Sequence, residues 1–583
     1  RPTRVPPKRD DCRYHPEPRN AKRFVRRLPR AQAERLKHHQ KRPHEQPDQQ
    51  RPPKLGGRAV RHGVRLAQEG EQADEHGAKV GASRPTFAPA MPNLVQPTLP
   101  TDQPIFRVIA AAAAALGQPA YVVGGYVRDR ALGRPSKDVD VVTVGDGIRL
   151  ARAVAKALPG KATVAVFQNF GTAQVKYDGG EVEFVGARRE SYRGESRKPD
   201  VAPGTLADDL ARRDFTINAL ALSLNEADFG AVVDHYDGLP DLAAKTIRTP
   251  LGPDVTFSDD PLRMLRAVRF ATQLGFDIEP DTFEALARNR DRLAIISQER
   301  ITDELNKIVL AAKPSYGFKL LFQSGLLHLI LPQLVALHGV EKVGKHAHKD
   351  NFYHTLQVLD NLVAAHPEAD LWLRWAALLH DIAKPATKKY YPAQGWTFHG
   401  HEEKGARWVP GIFTKLKLPL GEEMRFVQKL VRLHLRPIAL VKEIVTDSAV
   451  RRLLFEAGDD VDALMQLCRA DITSKDSTKV ARYLHNFAEV ERKLREVEEK
   501  DSLRNFQPAL TGDDIMHVFG LKPSRTVGEL KSLVLEAILE GHVRNDRAES
   551  LAWLVPVAAE RGFAVVAGLP ELRSQQMLPE EGA

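Results

Sequence analysis

The chain has 583 residues with 85 Lys+Arg, 75 Asp+Glu and 2 Cys, long enough for roughly three or four domains and too poor in cysteine for a disulfide-stapled scaffold. Cys12 and Cys468 are far apart in sequence, which points to a reducing cytosol, and the longest apolar run, Val108 to Leu116, is too short and alanine-rich to cross a bilayer. The expected location is therefore cytoplasmic, with no membrane partner. The formal charge of +10 suggests nucleic acid, but residues 1–90 hold 22 Lys+Arg against 10 Asp+Glu and the rest holds 63 against 65. Any RNA site in the body must come from local constellations.

Residues 1–90 are rich in Pro, Arg, His and Gln, contain no Ile or Met, and show no apolar period. Such a segment cannot bury enough surface to offset its chain entropy, which predicts a disordered basic extension. It reads as a non-native extension before Met91, the first methionine, in preference to an RNA-attracting arm. Its length and interspersed acids fit a transit peptide poorly.

From Met91 the pattern predicts an α/β unit ending near Thr249. A helix over Ile105–Leu116 is followed by a buried strand, Tyr121–Val123, that runs into the glycine turn Gly124-Gly125. A second strand over Val139–Val144, a helix over Ile148–Leu158, and strands over Thr163–Phe167, Thr172–Tyr177 and Val182–Val185 follow. Beyond Asp260 the sequence is almost wholly helical: Leu262–Leu274, Pro280–Asn289, Ile301–Ala311, Gly317–Ser324, then a remainder punctuated by Pro and Gly. The expected fold class is an α/β head with a mixed sheet followed by an all-α body. Charged helices over Val480–Lys500 and Val527–Gly541 predict a helical tail, frayed after about Leu569.

Chemistry is concentrated first in Gly124-Gly-Tyr-Val-Arg-Asp129 and Lys137-Asp-Val-Asp-Val-Val142. Residues i and i+2 of a strand share a face, so Asp138 and Asp140 present two carboxylates together, a repulsive pair that Mg²⁺ would relieve. The glycine turn lets backbone N–H groups approach a triphosphate, and Arg128 adds charge there. A D-x-D alone is weak evidence, because most such pairs are solvated acids. Its place beside a glycine turn and between strands strengthens it.

These segments, with RRDFTINALAL (Arg212–Leu222), VVDHYDGLPDLAAKTIRT (Val232–Thr249), DDPLRMLRAVRF (Asp259–Phe270) and ERITDELNKIVL (Glu299–Leu310), resemble the class II tRNA nucleotidyltransferases and bacterial poly(A) polymerases of the polymerase-β superfamily. Five motifs in the family's order across roughly 190 residues are highly specific. The resemblance implies a head over 91–249, a helical nucleotide-templating and RNA-binding neck over 250–345, and addition of C and A to tRNA from CTP and ATP. It implies metal-binding catalytic Asp138 and Asp140, with Glu183 as candidate third acid by position only. Gly124, Gly125, Arg128, Arg213, Asp214 and Asn218 would bind nucleotide, the last two near the ribose. Asp260, Arg263 and Arg266 would complete the nucleotide site. Asp259 stands where the family often has Glu.

Asp260 and Arg263, three apart at a helix start, would share a face. An ionised Asp offers only acceptors and Arg only donors, whereas C and A each present an amino donor beside a ring-nitrogen acceptor. U and G present a carbonyl and an N–H there and would leave polar groups unpaired. A surface salt bridge is the plain alternative.

From His348 a second set appears: His354, His380-Asp381, His401, His434 and Asp471, with His399 the alternative to His401. Imidazoles and carboxylates suit Ni, Co, Mn or Fe. The ordered set resembles the HD phosphohydrolase superfamily, implying an HD domain over 346–476 before a helical tail over 477–583. A structural metal or an RNA-contacting scaffold is the competing use. The alternatives to CCA addition are a poly(A) polymerase with the same head, or an HD phosphohydrolase acting on RNA ends or nucleotides.

Overall fold

The computed structural model describes residues 98–569 apart from 169–170, 194–195, 345, 348, 443–445, 474–475 and 502–505. The basic extension and the chain end after Leu569 lie outside the described residues. Among those described, no helix is long and apolar enough to cross a membrane.

The head is built on a seven-stranded mixed sheet. Helix α1 (Pro104–Leu116) leads into β1 (Ala120–Val123), a short α2 (Gly125–Ala131), β2 (Val139–Thr143), α3 (Gly147–Ala157), β3 (Thr163–Phe167), β4 (Thr172–Tyr177) and β5 (Gly180–Gly186). A separate hairpin of β6 (Arg188–Arg193) and β7 (Ser196–Pro203), then α4 (Leu206–Ala211), precede β8 (Leu220–Ser223) and β9 (Val232–Asp234). The strand order is β3-β4-β5-β2-β1-β8-β9, with β2 and β5 parallel and every other neighbour antiparallel.

Strand alternation divides the head into two faces. Ala120, Val122, Val139, Val141, Val182 and Phe184 point into the main core, where α1 and α3 contribute Phe106, Ile109, Leu150 and Val154. Val123, Val142, Ala219 and Ala221 point the other way into a smaller cluster with Leu210 of α4. Asp140 lies between Val139 and Val141, on the thinly covered face. An apolar residue there would add to a small core; a carboxylate opens a polar pocket.

The strands β3 and β4 and the helices α7 (Leu262–Leu274) and α8 (Pro280–Asn289) have the ends expected from sequence, and several other foreseen elements lie within one to three residues of theirs. The differences fall in the head. The Arg212–Asn218 motif, to which the sequence assigned no element, is the C-cap of α4, a single 3₁₀ turn over Thr216–Asn218 and the entry to β8. The motif's apolar run is buried on both sheet faces, so its composition reads equally as helix. Helix α2 and the β6–β7 hairpin were also not foreseen.

The body continues through α5 (Gly238–Ala244), α6 (Pro253–Asp259), α7, α8, α9 (Gln298–Val309), α10 (Pro314–Gln323), α11 (Leu326–Ile330) and α12 (Pro332–Val335). It then forms α13 (Asn351–Ala365), α14 (Leu371–Leu379), α15 (Lys384–Thr387), α16 (His401–Leu416), α17 (Glu422–Leu433), α18 (Leu435–Lys442), α19 (Asp447–Ala457), α20 (Val461–Ala470) and α21 (Ser477–Asp501). One continuous core runs from Ile105 to Val497. The tail helices α22 (Gly512–Phe519), α23 (Arg525–Glu540) and α24 (Arg547–Ala559) close a second core around Ile515, Leu530, Val534 and Leu554.

Two contacts bind α14 to α9. Trp375, fully buried, donates its indole N–H to Asn306 Oδ1 at 3.0 Å. Arg374, 4% exposed, donates to the carbonyls of Val309 and Ala311 at the end of α9 and of Pro367 and Ala369 before α14. A buried cation satisfied by four main-chain oxygens fixes the ends of two helices against each other.

Candidate active site and metal centre

The head pocket is a cavity of about 210 Å³ lined by Val123, Asp140, Thr172, Glu183, Val185, Arg188, Arg212 and Arg213. Parallel register places Asp140 directly opposite Glu183, so the two carboxylates project side by side from neighbouring strands. Asp138 precedes β2 instead of sharing it, and is exposed. Asp140 and Glu183 are both exposed at the rim of the cavity; partial desolvation by the surrounding walls still raises the pKa of Asp140, Arg213 opposes the rise and the Asp138 charge adds to it. Glu183 is raised by the same desolvation and then by Asp140. Among the described residues, no cation closes on either carboxylate as an ion pair. Crowded, partly desolvated carboxylates that resist ionisation fit a divalent cation, which would neutralise them.

The two glycines of the turn differ. Gly124 has φ +73°, and a Cβ there would lie 2.9 Å from Arg213 Nη1, so both its conformation and its neighbour require glycine. Gly125 starts α2 with ordinary φ, and a Cβ would meet nothing closer than 3.7 Å.

The remaining expected nucleotide residues form one hydrogen-bonded line. Arg128 forks onto Asp129 through Nε and Nη2, both at 2.9 Å, and donates from Nη1 to Asn218 Oδ1 at 2.8 Å. Its charge is thereby spent on its neighbour. Asn218 donates to Asp214 Oδ1 at 2.9 Å, as does the Phe215 N–H, while Arg266 reaches Asp214 Oδ2 from Nε at 2.8 Å and Nη2 at 2.5 Å. Both oxygens of the buried Asp214 are committed within the protein. Burial alone would raise its pKa; Arg266 and the donated hydrogen bonds outweigh that and bring it down to about 2.

Asp260 caps the end of α6, outside the helix that holds Arg263. The pair therefore shares a turn, not a helix face, and the expected i, i+3 geometry is corrected to that extent by Pro261. No salt bridge joins the two. Arg263, 9% exposed, donates to the Arg212 carbonyl at 2.6 Å and the Thr256 carbonyl at 3.5 Å. Asp260 accepts from Leu262 N at 3.2 Å and faces Arg300 at 3.9 Å. The plain surface salt bridge is absent, and Arg263 ties α7 to the Arg212–Asn218 motif.

Sequence reasoning passed over Asp209, which takes both Arg212 and Arg213, Glu190, which takes Arg212 at 3.2 Å, and the buried pair Arg269–Glu304 at 2.5 Å. For Asp209 a signal was present: an acid three and four residues before paired arginines, on a helical segment.

In the body the structure brings together all six expected histidines and aspartates; His399 is exposed and stands outside the group. His380, His434 and Asp471 cap the C-terminal ends of α14, α17 and α20, His401 opens α16, and His354 projects from α13. Three helix C-termini converge, a field favourable to cations. Asp381 divides two triads: Oδ2 lies 3.5 Å from His354 and 3.2 Å from His380, while Oδ1 lies 3.2 Å from His401 and 3.8 Å from His434. Asp471 stands 3.0 Å from His354.

The donor set fits metal. His380, His401 and His434 each donate Nδ1–H to a main-chain carbonyl, of Ala377, Phe398 and Val431 at 2.7 to 2.8 Å, which turns each Nε2 inward. His380 Nε2 is buried without a hydrogen-bond partner. His401 and His434 face each other Nε2 to Nε2 at 3.3 Å, two lone pairs that only a proton or a cation between them reconciles. Burial, then the neighbouring His380, lowers His434 to about 3, so it is the neutral ligand form. Lys384 holds Asp381 Oδ2 at 2.5 Å.

Residues 120–248 match the family model described as the poly A polymerase head domain, 275–337 that of a probable RNA and SrmB-binding site of polymerase A, and 351–476 the HD domain. The A-adding tRNA nucleotidyltransferase of Deinococcus radiodurans is 34% identical over 433 residues, 73% of this chain and 92% of that protein. The CC-adding tRNA nucleotidyltransferase of Thermus thermophilus is 32% identical over 447 residues, 75% and 93% of the two chains. The crystal structure of the Bacillus stearothermophilus CCA-adding enzyme in complex with CTP is similar at TM-score 0.55 and 25% identity, covering 79% of this chain and 99% of that one.

The Asp214–Arg266 joint has a measurable pH signature. With a folded pKa of about 2 against 3.8 when unpaired, the unfolded chain takes up this proton first as pH falls. Its stabilisation is complete above about pH 4 and lost toward pH 2, about 2 kcal/mol in all. Urea unfolding at pH 6, 4 and 3 should show that loss in the wild type. Asp214→Asn should start less stable at pH 6 and show a shallower decline.

Proposed function

Since the chain belongs to the tRNA nucleotidyltransferase family, we propose that it lengthens the 3′ end of tRNA with C and A residues taken from CTP and ATP. The observation that carries the reading is the Asp140–Glu183 pair, projecting into a pocket edged by Arg213 beside the Gly124 turn. Nucleotidyl transfer in this family is metal-dependent; Asp138, Asp140 and Glu183 would hold Mg²⁺, which when bound supplies a Lewis acid for the reacting phosphoryl oxygens.

The chain's own residues bind and orient. Arg213, with a buried Nε lacking a hydrogen-bond partner, and Arg212 offer donors to the polyphosphate. Gly124 and Gly125 keep the backbone low beneath it. Asp214 and Asn218 act at the ribose wall by fixing Arg266 and Arg128. Asp260 and Arg263 face the base edge from the α6–α7 turn, acceptor and donor for the amino group and ring nitrogen that C and A share. The RNA 3′-hydroxyl oxygen then bonds to the α-phosphorus, the bond to the β-phosphate bridge breaks, and pyrophosphate leaves with the hydroxyl proton released to solvent.

The decisive test offers a tRNA transcript ending at its discriminator base CTP alone, ATP alone, then both, and reads product lengths. Addition that stops after C, C and A is expected; a long A tail from ATP alone would make the protein a poly(A) polymerase. Asp138→Ala and Asp140→Ala should each lower addition by at least about a hundredfold while circular dichroism stays native. Asp260→Ala and Arg263→Ala should retain tRNA binding but narrow the preference for CTP and ATP over UTP and GTP in four-nucleotide competition. Undiminished discrimination would remove the pair from the templating role.

A second activity is proposed for the body, on the strength of the two His/Asp triads bridged by Asp381. Such a site, holding Ni, Co, Mn or Fe, fits hydrolysis of cyclic or terminal phosphates on RNA ends, which would leave the free hydroxyl that the head uses. Purified protein should release phosphate from 2′,3′-cyclic nucleotides or phosphatase substrates with Ni²⁺, Co²⁺ or Mn²⁺. Asp381→Ala should abolish this and spare addition. No hydrolysis with any of these ions would leave the domain a structural or RNA-holding element.

A further inference from the structure

Asp209 on α4 is fully buried, and its two oxygens serve two different arginines. Oδ1 accepts from Arg212 Nε at 2.9 Å, and Oδ2 accepts from Arg213 Nη2 at 3.0 Å. Glu190 steadies Arg212 from the other side at 3.2 Å. Both arginines line the cavity that holds Asp140 and Glu183, yet neither closes on those carboxylates. Arg213 is also walled in: a Cβ on Gly124 would meet Nη1 at 2.9 Å.

This arrangement solves an electrostatic problem. A free guanidinium beside two carboxylates is drawn onto them by opposite charge. That movement would fill the place of the metal and withdraw the donors meant for phosphate. A buried anion that commits one oxygen to each arginine competes with that collapse at fixed geometry. The end of α4 sets the geometry: Arg212 is its C-cap and Arg213 the next residue, so the chain leaving the helix turns both side chains back to Asp209 in its last turn.

We propose that Asp209 is a positioning residue that anchors the Arg212–Arg213 fork to α4, off the head carboxylates, so that Asp140 and Glu183 stay open to a divalent cation while the fork faces the polyphosphate. The inference rests on the nucleotidyl-transfer reading of the head.

The test uses the full chain and Mn²⁺ as probe, followed by electron paramagnetic resonance, the head site being the binding that Asp140→Ala removes. Asp209→Ala should weaken head-site Mn²⁺ binding about tenfold or more and raise the half-saturating Mg²⁺ concentration for nucleotide addition. Adding Arg213→Gln should restore much of the Mn²⁺ affinity, because the arginine that moved onto the carboxylates is gone, while the KM for CTP stays raised. A residue that only stabilised the fold would show no such rescue. Asp209→Asn keeps the volume and carries the same measurements if the alanine variant does not fold. Unchanged Mn²⁺ affinity in a folded Asp209 variant, or no rescue in the double variant, overturns the proposal. Failure of the wild type to add nucleotides would instead overturn the nucleotidyl-transfer reading, with Mn²⁺ binding still reporting on Asp209.

Discussion

The ion pair between Asp214 and Arg266 is the joint on which the head depends. One partner lies in the segment between α4 and β8; the other belongs to α7, the helix that carries Arg263. Without the guanidinium, Asp214 would be an uncompensated buried charge, costing several kcal/mol. The same helix is held again by the Arg263 donation to the Arg212 carbonyl, so α7 and the segment between α4 and β8 are located by two independent bonds across one seam. Arg269 and Glu304 extend the bonding to α9.

Both centres are built from groups that repel one another in the bare protein. In the head these are two carboxylates in facing register; in the body, two imidazole lone pairs aimed together. In the body, main-chain carbonyls on Nδ1 fix each imidazole without occupying its inward atom; in the head the nearby arginines are bonded to Asp209 instead of to the carboxylates. Folding energy from the surrounding core keeps these groups together despite that repulsion.

Much of this was legible in sequence because it was local. The helix α7 follows from its apolar spacing and the terminal Gly275, and β3 and β4 from alternation bounded by glycines. The His/Asp set could be read because its members are chemically distinctive, even across more than a hundred residues. What could not be read was pairing. Asp214 and Asn218 look like ligands for a ribose as long as Arg266 and Arg128 are not known to claim them. Asp260 looks helical until Pro261 is seen to begin a new turn, and β8 shows no strand signal because burial on both faces erases its alternation.

Helix α14 carries both anchors to α9, Arg374 and Trp375, and ends on His380. Each residue of an α-helix turns the next by about 100° and advances it about 1.5 Å. An insertion or deletion of a single residue between Trp375 and His380 would therefore swing the imidazole from the interior of the triads toward the side of the helix, while leaving the anchors in place. The five-residue interval between indole and imidazole is thus a fixed unit of length in this protein.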